Sequence, residues 1–240
     1  MDKIVLKKCP IVENTINLLC DYQLPVDAVV GVIYQLLNNK SEDISLLQEP
    51  ICNIPYEIRK SDPNLKDKAT HRIITKNGHI LIGERSLSIV TKTPYTTWEK
   101  SSEFVYEIID LLLKGKVIKK YNSINIRYLN FFNVNIFDNI KLNIAFNNTA
   151  VNYPATILKT EIPSNNGVFI SVLQIANSVH IKNAALNLDA DGSLIDLTVV
   201  CKSIEKDSFE SIKTIIEELH QEEESLFFKL LTDNFIDKLK

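Results

Sequence analysis

One local pattern is written twice along this chain, and it constrains the fold more than any other feature. Residues 71–114 read as strand, Asn77-Gly78 turn, strand, Thr96 cap and long helix; residues 184–231 read as strand, Asp191-Gly192 turn, strand, Asp207 cap and longer helix. Asn-Gly and Asp-Gly tolerate the positive φ angles of a two-residue hairpin turn, so each pair predicts an antiparallel hairpin. No regular strand–helix–strand alternation runs through the chain, which disfavours a doubly wound parallel sheet. The two units admit two readings. They are pseudo-repeated halves, or a common supersecondary unit used twice.

The remaining pattern fills in the class. Residues 11–22 alternate, with Val12, Ile16, Leu18 and Cys20 on one face and Glu13, Thr15 and Asn17 on the other, which predicts a half-buried strand. Pro25 opens a helix over 25–38, whose stripe is Val26, Val29, Val30, Ile33, Leu36 and Leu37. Residues 39–68 are polar and hold three prolines, so they read as a loop with one or two short strands. Strands are expected at 86–92, 124–132, 140–146, 155–162 and 168–176. Capping boxes at Thr96-x-x-Glu99 and Asp207-x-x-Glu210 start two long helices, and Thr232 starts a short last one. The expected fold is α+β: an antiparallel β-sheet with three principal helices packed on it. The 240 residues form one domain or two lobes, 1–118 and 119–240.

Composition limits the chemistry. Net charge is −3 and 45% of residues are hydrophobic, which suits a globular core and gives no global attraction to nucleic acid. No apolar run approaches the ~20 residues that cross a bilayer, and residues 1–8 are too charged for a targeting segment, so a cytoplasmic protein off the membrane is expected. Cys9, Cys20, Cys52 and Cys201 lack paired spacing and read as reduced thiols. No phosphate-binding, dinucleotide, hydrolase-elbow or zinc-protease motif is present. Asp189-x-Asp191-Gly192 begins like a calcium loop, but Val200 stands where the closing Glu is needed. His71 and His79 are not expected to stand side by side across their hairpin. No catalytic residue, metal ligand or cofactor is therefore assigned. Basic residues at 59–76 and 114–127 and the glutamates of the last helix read as solvated faces.

Four short motifs occur in order: Pro10-Ile11-Val12-Glu13, Tyr95-x-x-Trp98, Arg127-Tyr128-Leu129-Asn130, and His220 followed by Phe227. Over residues 8–235 the chain resembles a sporadically distributed family of bacterial proteins of unknown function, linked to mobile or defence gene neighbourhoods. The resemblance implies no substrate or mechanism. It singles out Tyr95, Trp98, Arg127, Tyr128, Asn130 and His220 as candidate binding residues.

Elementary packing gives these residues a structural alternative. Arg127 and Asn130 interrupt an apolar strand. Buried there, they need partners, and Glu13 or Glu223 could pair with Arg127. Three functional readings follow. The leading one is a non-enzymatic protein that recognises a partner protein, as an accessory, sensor or antitoxin-like component of a bacterial defence system, with homo-oligomers open. The alternative is a small-ligand or nucleotide-binding module whose pocket between sheet and helices is lined by Arg127, Tyr128, Asn130 and His220. An enzyme with an unrecognised site ranks last.

Overall fold

The computed structural model describes residues 6–40, 43–150, 155–164, 167–202, 204 and 208–240. The first strand, β1 (Ile11–Tyr22), leads into α1 (Val26–Asn38), β2 (Ser45–Gln48), a 3₁₀ turn (Pro50–Asn53) and α2 (Tyr56–Ser61). The hairpin strands β3 (Ala69–Thr75), β4 (Gly78–Gly83) and β5 (Ser86–Thr91) precede α3 (Trp98–Lys114). Then come β6 (Ile118–Phe132), a 3₁₀ turn (Ile136–Asn139), the small strands β7 (Ala145–Phe146) and β8 (Thr149–Ala150), β9 (Ile157–Pro163), β10 (Phe169–Asn183) and β11 (Leu188–Cys201). The chain closes with α4 (Phe209–Leu230) and α5 (Asp233–Leu239).

Nine strands form one antiparallel sheet in the order β2-β3-β4-β5-β1-β6-β11-β10-β9. The central pair is β1 with β6, in register at Asn14↔Tyr128 and Ile16↔Ile126. Period two then sorts the side chains. Ile16, Leu18, Ile124, Ile126, Tyr128, Leu197 and Val199 point to the face that carries the helices. Glu13, Asn17, Asn125, Arg127 and Asp196 point to the other face.

The apolar side chains divide into two clusters. The larger joins α1, α3 and the first half of α4 to β1, β4, β5 and β6. The smaller joins the end of α4, α5 and the Ile136–Asn139 turn to β10 and β11. Helix α4 crosses both, through Ile212, Ile216 and Leu219 and then Phe227 and Leu230.

The α+β antiparallel class holds, and five α-helices stand among the described residues, where three principal helices and a short last one were expected. The stretch read as a loop with one or two short strands holds the short strand β2 and, unexpectedly, α2. The strand expected at 140–146 is absent as such. Ile140 makes an isolated bridge to Leu231, and only Ala145 and Phe146 pair, with β8. The Asp191-Gly192 turn is also corrected. These residues lie inside the continuous strand β11, and the chain reverses at Ala184–Leu186, where the Asn183 side chain accepts from the N–H groups of Ala185 and Leu186. A Cβ on Gly192 would stand 2.2 Å from the Phe132 carbonyl oxygen, so this glycine permits close backbone approach rather than a turn. At the other hairpin Thr75 pairs with Gly78, which shifts the turn to Lys76-Asn77. His71 opposes Ile82 and His79 opposes Ile74. Thr97 rather than Thr96 caps α3, accepting from Lys100 N at 3.4 Å. Ser208 caps α4, while the expected Asp207 cap lies outside the described residues.

Candidate functional site

Four of the six candidate residues meet beneath the helices. Tyr95, in the connection before α3, sets its ring edge-on to Tyr128 with centroids 5.9 Å apart. Trp98, the first residue of α3, stacks on His220 at 4.3 Å. The Tyr128 hydroxyl lies 3.1 Å from His220 Nδ1. Asn130 is buried two residues along the same strand face and donates weakly to the Ile195 carbonyl at 3.4 Å. Residues Glu217, His220 and Glu223 recur at three-residue spacing on α4, which puts them on one helix face. Glu217 accepts from Trp98 Nε1 at 2.8 Å and from the Tyr106 hydroxyl.

Burial pushes the phenols of Tyr95, Tyr106 and Tyr128 above their ordinary range. Glu223 is 5% exposed. Burial first, and the neighbouring Glu224 carboxylate second, hold its carboxyl well above the usual value. Trp98 and Tyr128 belong to the larger apolar cluster and Tyr95 packs against it, while His220 and Glu223 lie on α4 between the residues it gives to the two clusters. Neither the 480 Å³ groove described below nor the small apolar gap between α1 and α3 touches these rings. The cluster reads as packing with satisfied polar tips.

Arg127 belongs to the opposite face. Its Nε and Nη2 bond Asp196 at 2.8 and 2.7 Å, and its Nη1 bonds Glu13 at 2.9 Å. It is paired, as expected, but its side chain is 33% exposed rather than buried, and Glu223 takes no part in the pair. Asp196 was not anticipated, because its strand, β11, joins β6 only through the sheet order. A pocket lined jointly by Arg127, Tyr128, Asn130 and His220 is thus not formed, since strand alternation divides the set between two faces.

A sizeable groove lies elsewhere. A groove of about 480 Å³ separates α1 from the edge of the sheet. Val26, Asp27, Val30, Gly31 and Tyr34 of α1 form one wall. Leu46 and Gln48 of β2, Cys52, Arg59 of α2, Thr70 and His71 of β3, and Glu84 form the other. Arg59 donates from Nε to the Ile54 carbonyl at 3.0 Å, and its Nη1 lies 3.7 Å from Glu84. The Cys52 thiol donates to the Thr70 carbonyl. Thr70 donates its hydroxyl to Ile82 O at 3.2 Å, and the same hydroxyl lies 3.0 Å from His71 Nδ1. No motif could announce this groove, because its walls come from separate elements within residues 26–84.

The segment beside the groove contributes nothing to the core. No residue of β2, the Pro50–Asn53 turn or α2 is buried. It nonetheless exposes Leu46, Leu47, Tyr56 and Ile58, the last at 54%. Among the described residues no group of three or more His, Cys, Asp or Glu side chains is placed to hold a metal ion. Among them, too, no helix is long and apolar enough to cross a membrane. No protein-family model matches the chain, and no curated protein matches it either.

Proposed function

We propose that this chain is a non-enzymatic recognition protein that binds a partner protein by accepting an extended segment of it along β2. The observation that carries this reading is the segment 45–61. It ends the sheet in a free edge, exposes four large apolar side chains and buries none. Apolar surface that serves no core is the usual mark of an interaction site. An unpaired row of N–H and C=O groups gives a partner strand its main-chain hydrogen bonds. The resemblance to the sporadic bacterial family motivates its role as an accessory, sensor or antitoxin-like component of a defence system working in the cytoplasm.

The same reading accommodates a duplicated chain. Outward from β1 run β5, β4, β3 and β2, and outward from β6 run β11, β10 and β9. A long helix follows each set, α3 and α4. On this view one half has kept its outer edge closed and the other uses its edge for recognition.

The test is native co-purification of the full chain, wild type against the Leu46→Glu, Leu47→Lys double variant. A partner lost from the variant should, in the wild-type complex, protect the amides of residues 45–48 from hydrogen exchange. A partner that stays on the variant and leaves those amides unprotected overturns the reading.

A further inference from the structure

Strand alternation fixes where the side chains of an added segment would go. On β2 itself, Leu46 and Gln48 face the groove, while Leu47, opposite Arg72, faces the uncovered side of the sheet. A strand paired outside β2 must send every second side chain over the groove. We infer that the groove is the specificity pocket of this edge and takes a lysine or arginine side chain from the partner segment; this rests on the strand-addition reading above.

The lining fits such a side chain along its length. Val26, Val30 and Leu46 offer apolar surface to an aliphatic stem, as long cationic residues prefer. Charged groups of the same lining suit a cationic head. Asp27 and Glu84 place two carboxylates against one guanidinium, Arg59, whose Nε is already committed to a carbonyl. His71 stands in the same lining. Tyr34 brings an aromatic ring on which a cation can rest. A carboxylate side chain in the same place would face Asp27 and Glu84 with only Arg59 to offset them.

Gly31 supplies an independent handle. It sits in the middle of α1, where glycine costs helix stability, and a Cβ there would meet nothing within 4 Å. A larger side chain at this position enters the groove without disturbing its walls.

The experiment uses three extended eight-residue peptides of alternating threonine and valine, with lysine, norleucine or glutamate at one central groove-facing position. Binding to the full-length protein is read by calorimetry, and amide protection of residues 45–48 reports strand addition. The lysine peptide should bind at least about tenfold tighter than the norleucine peptide and tighter still than the glutamate one. Gly31→Leu should erase this preference while protection of residues 45–48 by the norleucine peptide persists. Asp27→Asn and Glu84→Gln should each lower lysine affinity by roughly three- to tenfold. Equal binding of lysine and norleucine peptides, with the edge protected, overturns the specificity pocket alone. Failure of all three to bind or protect the edge overturns strand addition and the pocket with it.

Discussion

The two ends of the sheet occupy equivalent positions and are built in opposite ways. The β9 edge is seven residues long and closed on its inner side, where Leu158 and Ile162 pack against the second apolar cluster. Its outward residues include Lys159, Glu161 and Pro163, the side chains that proteins use to deter edge pairing. The β2 edge, Ser45–Gln48, has no charge, buries nothing and borders a groove where the other end has packed side chains. A strand edge left both apolar and uncharged is a liability unless something pairs with it. One end is therefore finished by folding, and the other is left for a partner to finish.

Deletions break this comparison most sharply. Removing residues 208–240 takes away Ile212, Ile216, Leu219, Phe227, Leu230, Phe235, Ile236 and Leu239, all buried. Each is worth about 1.5–3 kcal/mol, and together they are comparable to or larger than the roughly 5–15 kcal/mol net stability of a domain. Insoluble or molten protein is expected. Removing residues 45–61 takes away no buried side chain and should leave a soluble chain that melts cooperatively. Calorimetry on both deletions checks the contrast. Collapse of the second would make β2 part of the folding core.

This asymmetry explains what could be read from sequence. Elements with a buried face declare themselves by period, so β1 appears at 11–22 as expected, and the stripes of α1, α3 and α4 locate their helices. The segment 45–61 buries nothing, so no periodicity marks α2 or β2. Glycine misled twice. At Asn77-Gly78 and Asp191-Gly192 the sequence carries a turn signature, yet each glycine lies in a strand where a carbonyl, of Val90 or Phe132, comes within 2.2 Å of its Cβ position. Asn187, at φ 49°, supplies the left-handed residue of the true β10–β11 turn, with Asn183 capping it. Tyr95, Trp98, Tyr128 and His220 do converge, but Arg127 departs to the other face because it is one residue from Tyr128 on a strand.

Between the two ends, the seam at α4 should show itself through pH. Glu223 has a folded pKa raised above its ordinary value of 4.5. The folded state thus holds a proton that the unfolded chain releases. The resulting stability is fully present below about pH 4.5 and is lost as pH rises toward the folded pKa, at up to ~1.4 kcal/mol per pH unit. Glu223→Gln removes the titration and keeps the shape. The variant should gain on the wild type in urea melts as pH rises above 5. A constant difference across that range would mean Glu223 is charged where it stands.

Arg127 joins the strands on either side of the centre, β1 through Glu13 and β11 through Asp196. Its forked contact with Asp196 exceeds an ordinary surface pair, yet its one-third exposure keeps it below a buried one. Arg127→Ala should cost about 1–3 kcal/mol, between those limits. High salt should reduce the loss. A cost beyond ~4 kcal/mol in urea would mark the triad as the main tie between the halves.

The smallest expected effect sharpens the comparison of edges at single residues. Ile162 on β9 and Leu46 on β2 both point to the helix-bearing side of a terminal strand. Ile162 meets the second apolar cluster, whereas Leu46 is 41% exposed over the groove. Truncating a packed aliphatic side chain removes its transfer energy and leaves a partial void, so Ile162→Ala should cost roughly 1–3 kcal/mol. Leu46→Ala has little packing to lose and should stay within about 0.5 kcal/mol, the range of surface substitutions. Urea melts of both variants, compared at equal m-values, decide the matter. Equal costs would show that Leu46 is held by the fold as firmly as Ile162, and the β2 edge would then be a closed end of the sheet rather than an unfinished one.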